Sequence, residues 1–236
     1  MKRTTGKASL SLRALLVAIV SCLRAVPSPA HAATLSLVVL TKSGQPLPGA
    51  VITAETQSSQ GAASAAAPAP VPARTTPSLK VIVDQVDLAF VPDVSVIPVG
   101  ASVSFPNSDA VSHQVYSFSS ARRFQLPLYR GKQHAPVVFD QPGIVTLGCN
   151  IHDNMLAYLI VTKAPYFGRT DARGAFAVPA VPEGSYRIEI WHPRFKDSTA
   201  PLVRTVNVGD GGEISLKLDQ DLKPAPLKGH PHSWDY

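Results

Sequence analysis

The stretch Ile144-Val145-Thr146-Leu147-Gly148-Cys149-Asn150-Ile151-His152-Asp153-Asn154-Met155-Leu156-Ala157-Tyr158-Leu159-Ile160-Val161 decides how the chain is read. Its ends, 144–147 and 157–161, are short β-rich runs and its middle is polar, so it reads as strand, loop, strand. Working outward, similar runs recur at 81–83, 94–99, 102–105, 114–118 and 136–139. Gly100, Pro106-Asn107-Ser108-Asp109 and Gln141-Pro142-Gly143 punctuate them with turn chemistry. Short strands at this spacing across residues 79–163 predict an antiparallel sandwich or barrel. No window carries a long 3.6-residue apolar period, so the expected fold class is all-β, with at most a helical turn or two.

The flanks continue in the same style. Residues 34–55 read as two strands around the turn Ser43-Gly44-Gln45-Pro46. Residues 164–219 carry further strands between Thr170-Asp171-Ala172-Arg173-Gly174, Pro182-Glu183-Gly184 and Gly209-Asp210-Gly211-Gly212. Between these flanks, 56–78 is a Ser/Ala/Pro-rich linker in which Pro68, Pro70 and Pro72 preclude helix despite the alanines. Residues 220–236 read as a disordered tail.

Of 236 residues, 45% are hydrophobic and 16% charged, which is enough to build a core. No apolar run reaches the roughly 18–20 residues that a membrane-spanning helix needs. The net charge of +6 is misleading. Lys2, Arg3, Lys7, Arg13 and Arg24 fall in the first 32 residues, where there is no acid. Setting those five aside from the 22 basic residues leaves 17 against 16 acidic ones, so no nucleic-acid-binding surface is indicated. The basic leader, the short apolar stretch 14–21 and Ala30-His31-Ala32 fit an export signal cleaved after Ala32, with the periplasm as destination. Ile19-Val20-Ser21-Cys22 also fits a lipoprotein box, the alternative in which Cys22 is acylated. After cleavage at Ala32 a single cysteine remains, Cys149, with no partner in the chain for a disulfide.

That cysteine opens the spacing C-x2-H-x2-M: Cys149, His152 and Met155, the last being the only methionine after the leader. A further histidine, His113, follows the turn at 106–112. Mononuclear copper of the blue type calls for such a set, a thiolate and two imidazoles in a trigonal plane with a weak axial thioether. Zinc rarely takes a thioether, and a binuclear copper centre would need a second cysteine. A cysteine protease would pair Cys149 with His113 or His192, but the sequence shows no Asn/Asp–His arrangement to orient either base. The other reading of Cys149 is a buried inert thiol.

Asp84-Gln85, Phe90-Val91-Pro92, Val99-Gly100, 103–107, His113, Val115-Tyr116 and 148–155 together resemble the cupredoxin family. The likeness is to its plastocyanin- and amicyanin-like members and to exported proteins of the methylamine-utilisation type. It covers residues 79–163 and implies one type 1 copper held by His113, Cys149, His152 and Met155. The chain departs from the family's usual residues at Gln114, Asn150, Ile151 and Asp153, positions that tune hydrogen bonding around the ligands. Residues 44–51, 170–176 and 182–186 resemble the carboxypeptidase-regulatory, transthyretin-like sandwich, and imply that the cupredoxin is inserted within it, with no peptidase activity. The alternative is that 34–55 lends edge strands to the cupredoxin.

The implied function is one-electron transfer, not enzymatic catalysis, with a cytochrome or dehydrogenase as redox partner. Ile151, His152, Val111, Pro106, Phe90 and Pro92 are expected to form the apolar collar on which that partner docks. Copper delivery without redox turnover, or a structural envelope protein with Cys149 unmetallated, are the other readings. His192 and His134 read as structural or loop residues, and His230 and His232 as parts of the tail. Arg122, Arg123, Arg130 and Lys132 read as a solvated basic face or a contact for an acidic partner.

Overall fold

The computed structural model describes residues 32–57, 80–131, 134–209 and 212–224, and is all-β over them. The leader before Ala32, most of the expected linker, Lys132, His230 and His232 lie outside the described residues. In chain order the strands are β1 (Ala32–Leu40), β2 (Val51–Thr56), β3 (Lys80–Ile82), β4 (Asp84–Val86), β5 (Ala89–Val91), β6 (Val94–Pro98), β7 (Ala101–Ser104), β8 (Tyr116–Ser117) and β9 (Phe124–Gln125). They continue with β10 (Val137–Phe139), β11 (Gly143–Cys149), β12 (His152–Thr162), β13 (Tyr166–Arg169), β14 (Ala175–Pro182), β15 (Gly184–Trp191), β16 (Leu202–Val208) and β17 (Glu213–Lys217).

Residues 80–162 form the sandwich that carries the Cys149 loop. One sheet runs β6-β12-β11-β8-β9 and the other β10-β7-β3, with β4-β5 as a separate hairpin. Their core takes the inward row of each strand, as the two-residue period of a strand demands: Val145 and Leu147 on β11, Ala157 and Leu159 on β12, and Val103 on β7, around Phe105, Val115 and Phe139.

The outer strands build a second sandwich. Here β14-β1-β17 faces β13-β2-β15-β16 over a core that includes Leu35, Leu37, Ile52, Tyr186, Ile188 and Phe195. The strands β1 and β2 therefore belong to opposite sheets, and both pair only with strands that follow residue 165. A small third cluster joins the two sandwiches: Val51 and Trp191 from one meet Val94 and Ile160 from the other. The Trp191 ring lies 5.0 Å from that of Tyr158, and its indole N–H donates to the Ser198 carbonyl at 2.9 Å. Arg169 adds a hydrogen bond from Nη1 to the Val94 carbonyl at 3.0 Å. Next to Trp191, His192 is buried and accepts the Arg194 backbone N–H on Nδ1 at 3.2 Å. Burial and the nearby Arg194 charge push its pKa from 6.5 down to about 4, so it is a neutral structural group at neutral pH.

The turn before β14 shows how the sequence punctuates the outer sandwich. Asp171 Oδ1 accepts the backbone N–H groups of Arg173 and Ala175, each at 2.8 Å, and Gly174 closes the turn at φ +74°. A Cβ at Gly174 would lie 2.5 Å from the Val39 carbonyl oxygen. Left-handed strain and a backbone clash then act together. Gly174→Ala should lower stability by about 1–3 kcal/mol, read as a shift of the urea midpoint at unchanged slope.

Candidate metal centre

Three of the candidate ligands lie at one end of the core because three chain segments each run their inward row to it. Cys149 continues the row Val145, Leu147; Met155 continues Ala157, Leu159 in reverse; His113 precedes Val115 and Ser117. The fourth, His152, is placed by a turn. Strand β11 ends at Cys149 and β12 begins at His152, and the two residues are cross-strand partners around the two-residue turn Asn150-Ile151. Opposed partners share a face of the sheet, so thiol and imidazole are brought side by side. The next pair is Gly148 with Leu156, which leaves 153–155 as a bulge on β12.

The result is a triangle of donor atoms. His113 Nδ1 and His152 Nδ1 are 3.1 Å apart, and Cys149 Sγ lies 3.7 Å from His152 Nδ1 and 4.0 Å from His113 Nδ1. The point in their plane equidistant from all three is about 2.1 Å from each, against roughly 2.0–2.3 Å for metal bonds to ring nitrogen and thiolate. His113 and Cys149 are buried and His152 is half-buried. Met155 is buried in the same core cluster as Cys149. The donor set fits a soft-to-borderline metal ion: one sulfur, two imidazoles and a thioether in the adjoining core.

The surrounding hydrogen bonds come in part from Asn107 and Asp109, which in the sequence read only as turn residues. Asp109 Oδ2 accepts Nε2–H of His113 at 2.7 Å. The same carboxylate accepts the backbone N–H of Asp87 at 2.6 Å and of Leu88 at 3.0 Å. Asn107 Oδ1 accepts the Asp109 N–H at 3.0 Å, while its Nδ2 donates to the Val111 and Tyr129 carbonyls, each at 2.9 Å. Beneath them, Gln85 Nε2 donates to the Pro106 carbonyl at 2.7 Å and to the Tyr129 hydroxyl, which in turn donates to the Phe105 carbonyl. The backbone N–H of Gln114 points at Cys149 Sγ at 3.5 Å. A carboxylate four residues before a candidate histidine was the signal that could have singled out Asp109.

Two expectations need correction. An Asp–His pair does exist beside Cys149, in Asp109 and His113, contrary to the argument used against a protease. The protease reading still fails on access, since His113 is fully buried, Cys149 is 3% exposed and a second imidazole crowds the sulfur. Phe90, expected in the exposed collar, is core: on the three-residue strand β5 it points inward while Ala89 and Val91 point out. Of the other collar residues, Val111 (45%) and Ile151 (52%) are exposed, as is Pro92, whereas Pro106 is half-buried. Arg123 and Arg130 are exposed, and Arg122 lies 3.9 Å from Asp140.

No protein-family model and no curated protein match the chain. Among solved structures it is similar to a Cu-containing nitrite reductase from Thermus scotoductus SA-01, at 28% identity and TM-score 0.34, over 36% of this chain and 22% of that one. The chain thus spans about a fifth of that reductase. It is also similar to mutants of amicyanin. One, in the reduced Cu(I) form at pH 4, shares 20% identity over 35% of this chain and 82% of the other, with TM-score 0.33. A second, also Cu(I), shares 19% over the same spans at TM-score 0.33.

Burial holds the His152 pKa below 6.5, and the His113 ring pushes it the same way, while Asp109 opposes them. The folded state therefore favours the neutral ring. It loses stability as pH falls from 6.5 through the lowered folded pKa, where the unfolded chain binds the proton more readily. Proton NMR of the metal-free protein should show the His152 ring titrating below 6.5. A value at or above 6.5 would contradict the packing of the two rings.

Proposed function

We propose that this chain is an exported protein that holds one copper ion and works as a one-electron carrier, not as an enzyme. The observation that carries this reading is the buried convergence of Cys149 Sγ with the Nδ1 atoms of His113 and His152. Copper held there would supply a Cu(II)/Cu(I) couple, moving one electron with no bond made or broken in a substrate. On this reading His113, Cys149 and His152 would hold the copper through one sulfur and two imidazoles, and Met155 would add a weak thioether donor from the adjoining core. The Gln114 N–H donates toward the sulfur and eases its charge as a thiolate. Rigid strands on three sides keep the donors where they are, so little moves when charge changes.

The half-buried His152 is the exit for the electron. Leu88, Val111, Ile151 and Leu156 are exposed; the last three lie within two residues of His113, His152 and Met155, and Leu88 donates its N–H to Asp109. With Pro92 they form the proposed docking collar for a cytochrome or dehydrogenase. A small apolar patch would exclude water from the contact yet let the partner leave. The basic, acid-free leader supports export to the periplasm. The outer sandwich, read as carboxypeptidase-regulatory-like, would serve as its mount.

Copper titration followed by absorption tests the assignment. An intense visible thiolate-to-copper band is expected from the wild type and should vanish in Cys149→Ser, where a hard hydroxyl replaces the sulfur. Met155→Leu should keep the colour and raise the potential. An unchanged potential there would remove Met155 from the ligand set, and a colourless, tightly held Cu(I) complex would assign the site to copper delivery.

Docking is tested separately, by stopped-flow electron exchange with a periplasmic cytochrome. Val111→Lys and Ile151→Lys should slow exchange at least several-fold while leaving the copper spectrum intact. Rates equal to wild type would place the docking face elsewhere.

A further inference from the structure

We propose that Asp109 is the positioning residue of the centre, fixing the tautomer of His113 so that its Nδ1 lone pair faces Cys149 and His152. An imidazole carries its proton on one nitrogen or the other, and only the bare nitrogen can bind a metal. The His113 ring is fully buried, so no solvent can satisfy its outer nitrogen in place of a protein group. Its backbone is fixed as well, exchanging hydrogen bonds with Tyr129 in both directions at 2.9 Å. What remains to be decided is the proton, and the Asp109 carboxylate, an acceptor only, takes Nε2–H at 2.7 Å and leaves Nδ1 bare.

The carboxylate is itself held in place. It accepts the two successive backbone N–H groups of the turn at Asp87 and Leu88, where both residues have positive φ, 51° and 58°. Successive amides in a left-handed turn point the same way and make a natural anion seat. A leucine in that conformation is costly, and the shared carboxylate offsets part of the cost. Asp109 thus ties the β4–β5 hairpin to the ligand ring. Without it, the contact of 3.1 Å between the two Nδ1 atoms would reward the wrong tautomer, with His113 Nδ1–H donating to His152 and no lone pair left for a metal.

This inference rests on the copper reading for its affinity consequence, but not for the tautomer itself. The test uses metal-free protein with 15N-labelled histidine and long-range 1H–15N correlation. His113 should be wholly Nε2–H in the wild type. Asp109→Ala alone confounds the ring with the turn, so it is paired with Leu88→Gly, which relieves the strain at the bulkier of the two positive-φ residues. The Leu88→Gly single variant should keep the wild-type tautomer. The Leu88→Gly/Asp109→Ala double variant should fold, show the Nδ1–H form of His113, and bind copper about 10- to 100-fold more weakly in competition with a chelator. A wild type with Nδ1–H on His113, or a double variant still wholly Nε2–H, would overturn the proposal. If the wild type takes up no copper the functional reading falls, and the tautomer spectra still decide the role of Asp109.

Discussion

The two-residue turn Asn150-Ile151 is the constraint on which the centre depends. It makes Cys149 and His152 cross-strand partners, and partners across a sheet must put their side chains on one face. A turn one residue longer would break that partnership and carry the imidazole away from the sulfur. The bulge at 153–155 follows from the same turn. The tight return leaves three residues of β12 without counterparts on β11, and the last of them, Met155, is directed back into the core.

The rest of the cluster is a matter of rows reaching a common end. In a sandwich, each strand sends alternate residues inward, and near the rim that inward row gives way to loop. Here the rows through Val145, Ala157 and Val115 end in Cys149, Met155 and His113, so the apolar core grades directly into the donors. Charged and amide side chains close the rim from outside. Asp84 accepts Ser108 Oγ at 2.7 Å, and Asn107, Gln85 and Asp109 knit the hairpin β4–β5 to the loop before His113. The donors are consequently held between a packed hydrocarbon floor and a hydrogen-bonded roof.

Much of this was legible in the chain. Alternation at 145/147/149 is visible in the letters, whereas 155–161 is an unbroken apolar run whose inward row, 155/157/159, only the structure reveals. The β character of His152, Asp153 and Asn154 was not legible either, since polar residues carry little strand propensity and the pairing there is imposed by the turn. Phe90 was misread because a three-residue strand offers too short a run for its facing to be inferred. Asp109 looked like any turn aspartate. Its contact with His113 depends on how the loop folds back, which spacing alone does not reveal.

The chain leaves the outer sandwich after β2 and re-enters it at β13, and these two strands are antiparallel neighbours, Ala54 beside Tyr166. Exit and entry therefore sit side by side, so the outer barrier to exchanging what lies between them is geometric only at the small seam around Trp191. The described residues between them, 80–131 and 134–165, behave topologically as a cassette. The outer sheets would keep their pairing with a short hairpin in its place, and a different redox or binding module with adjacent termini could be carried at the same position without re-registering a single strand of the carrier.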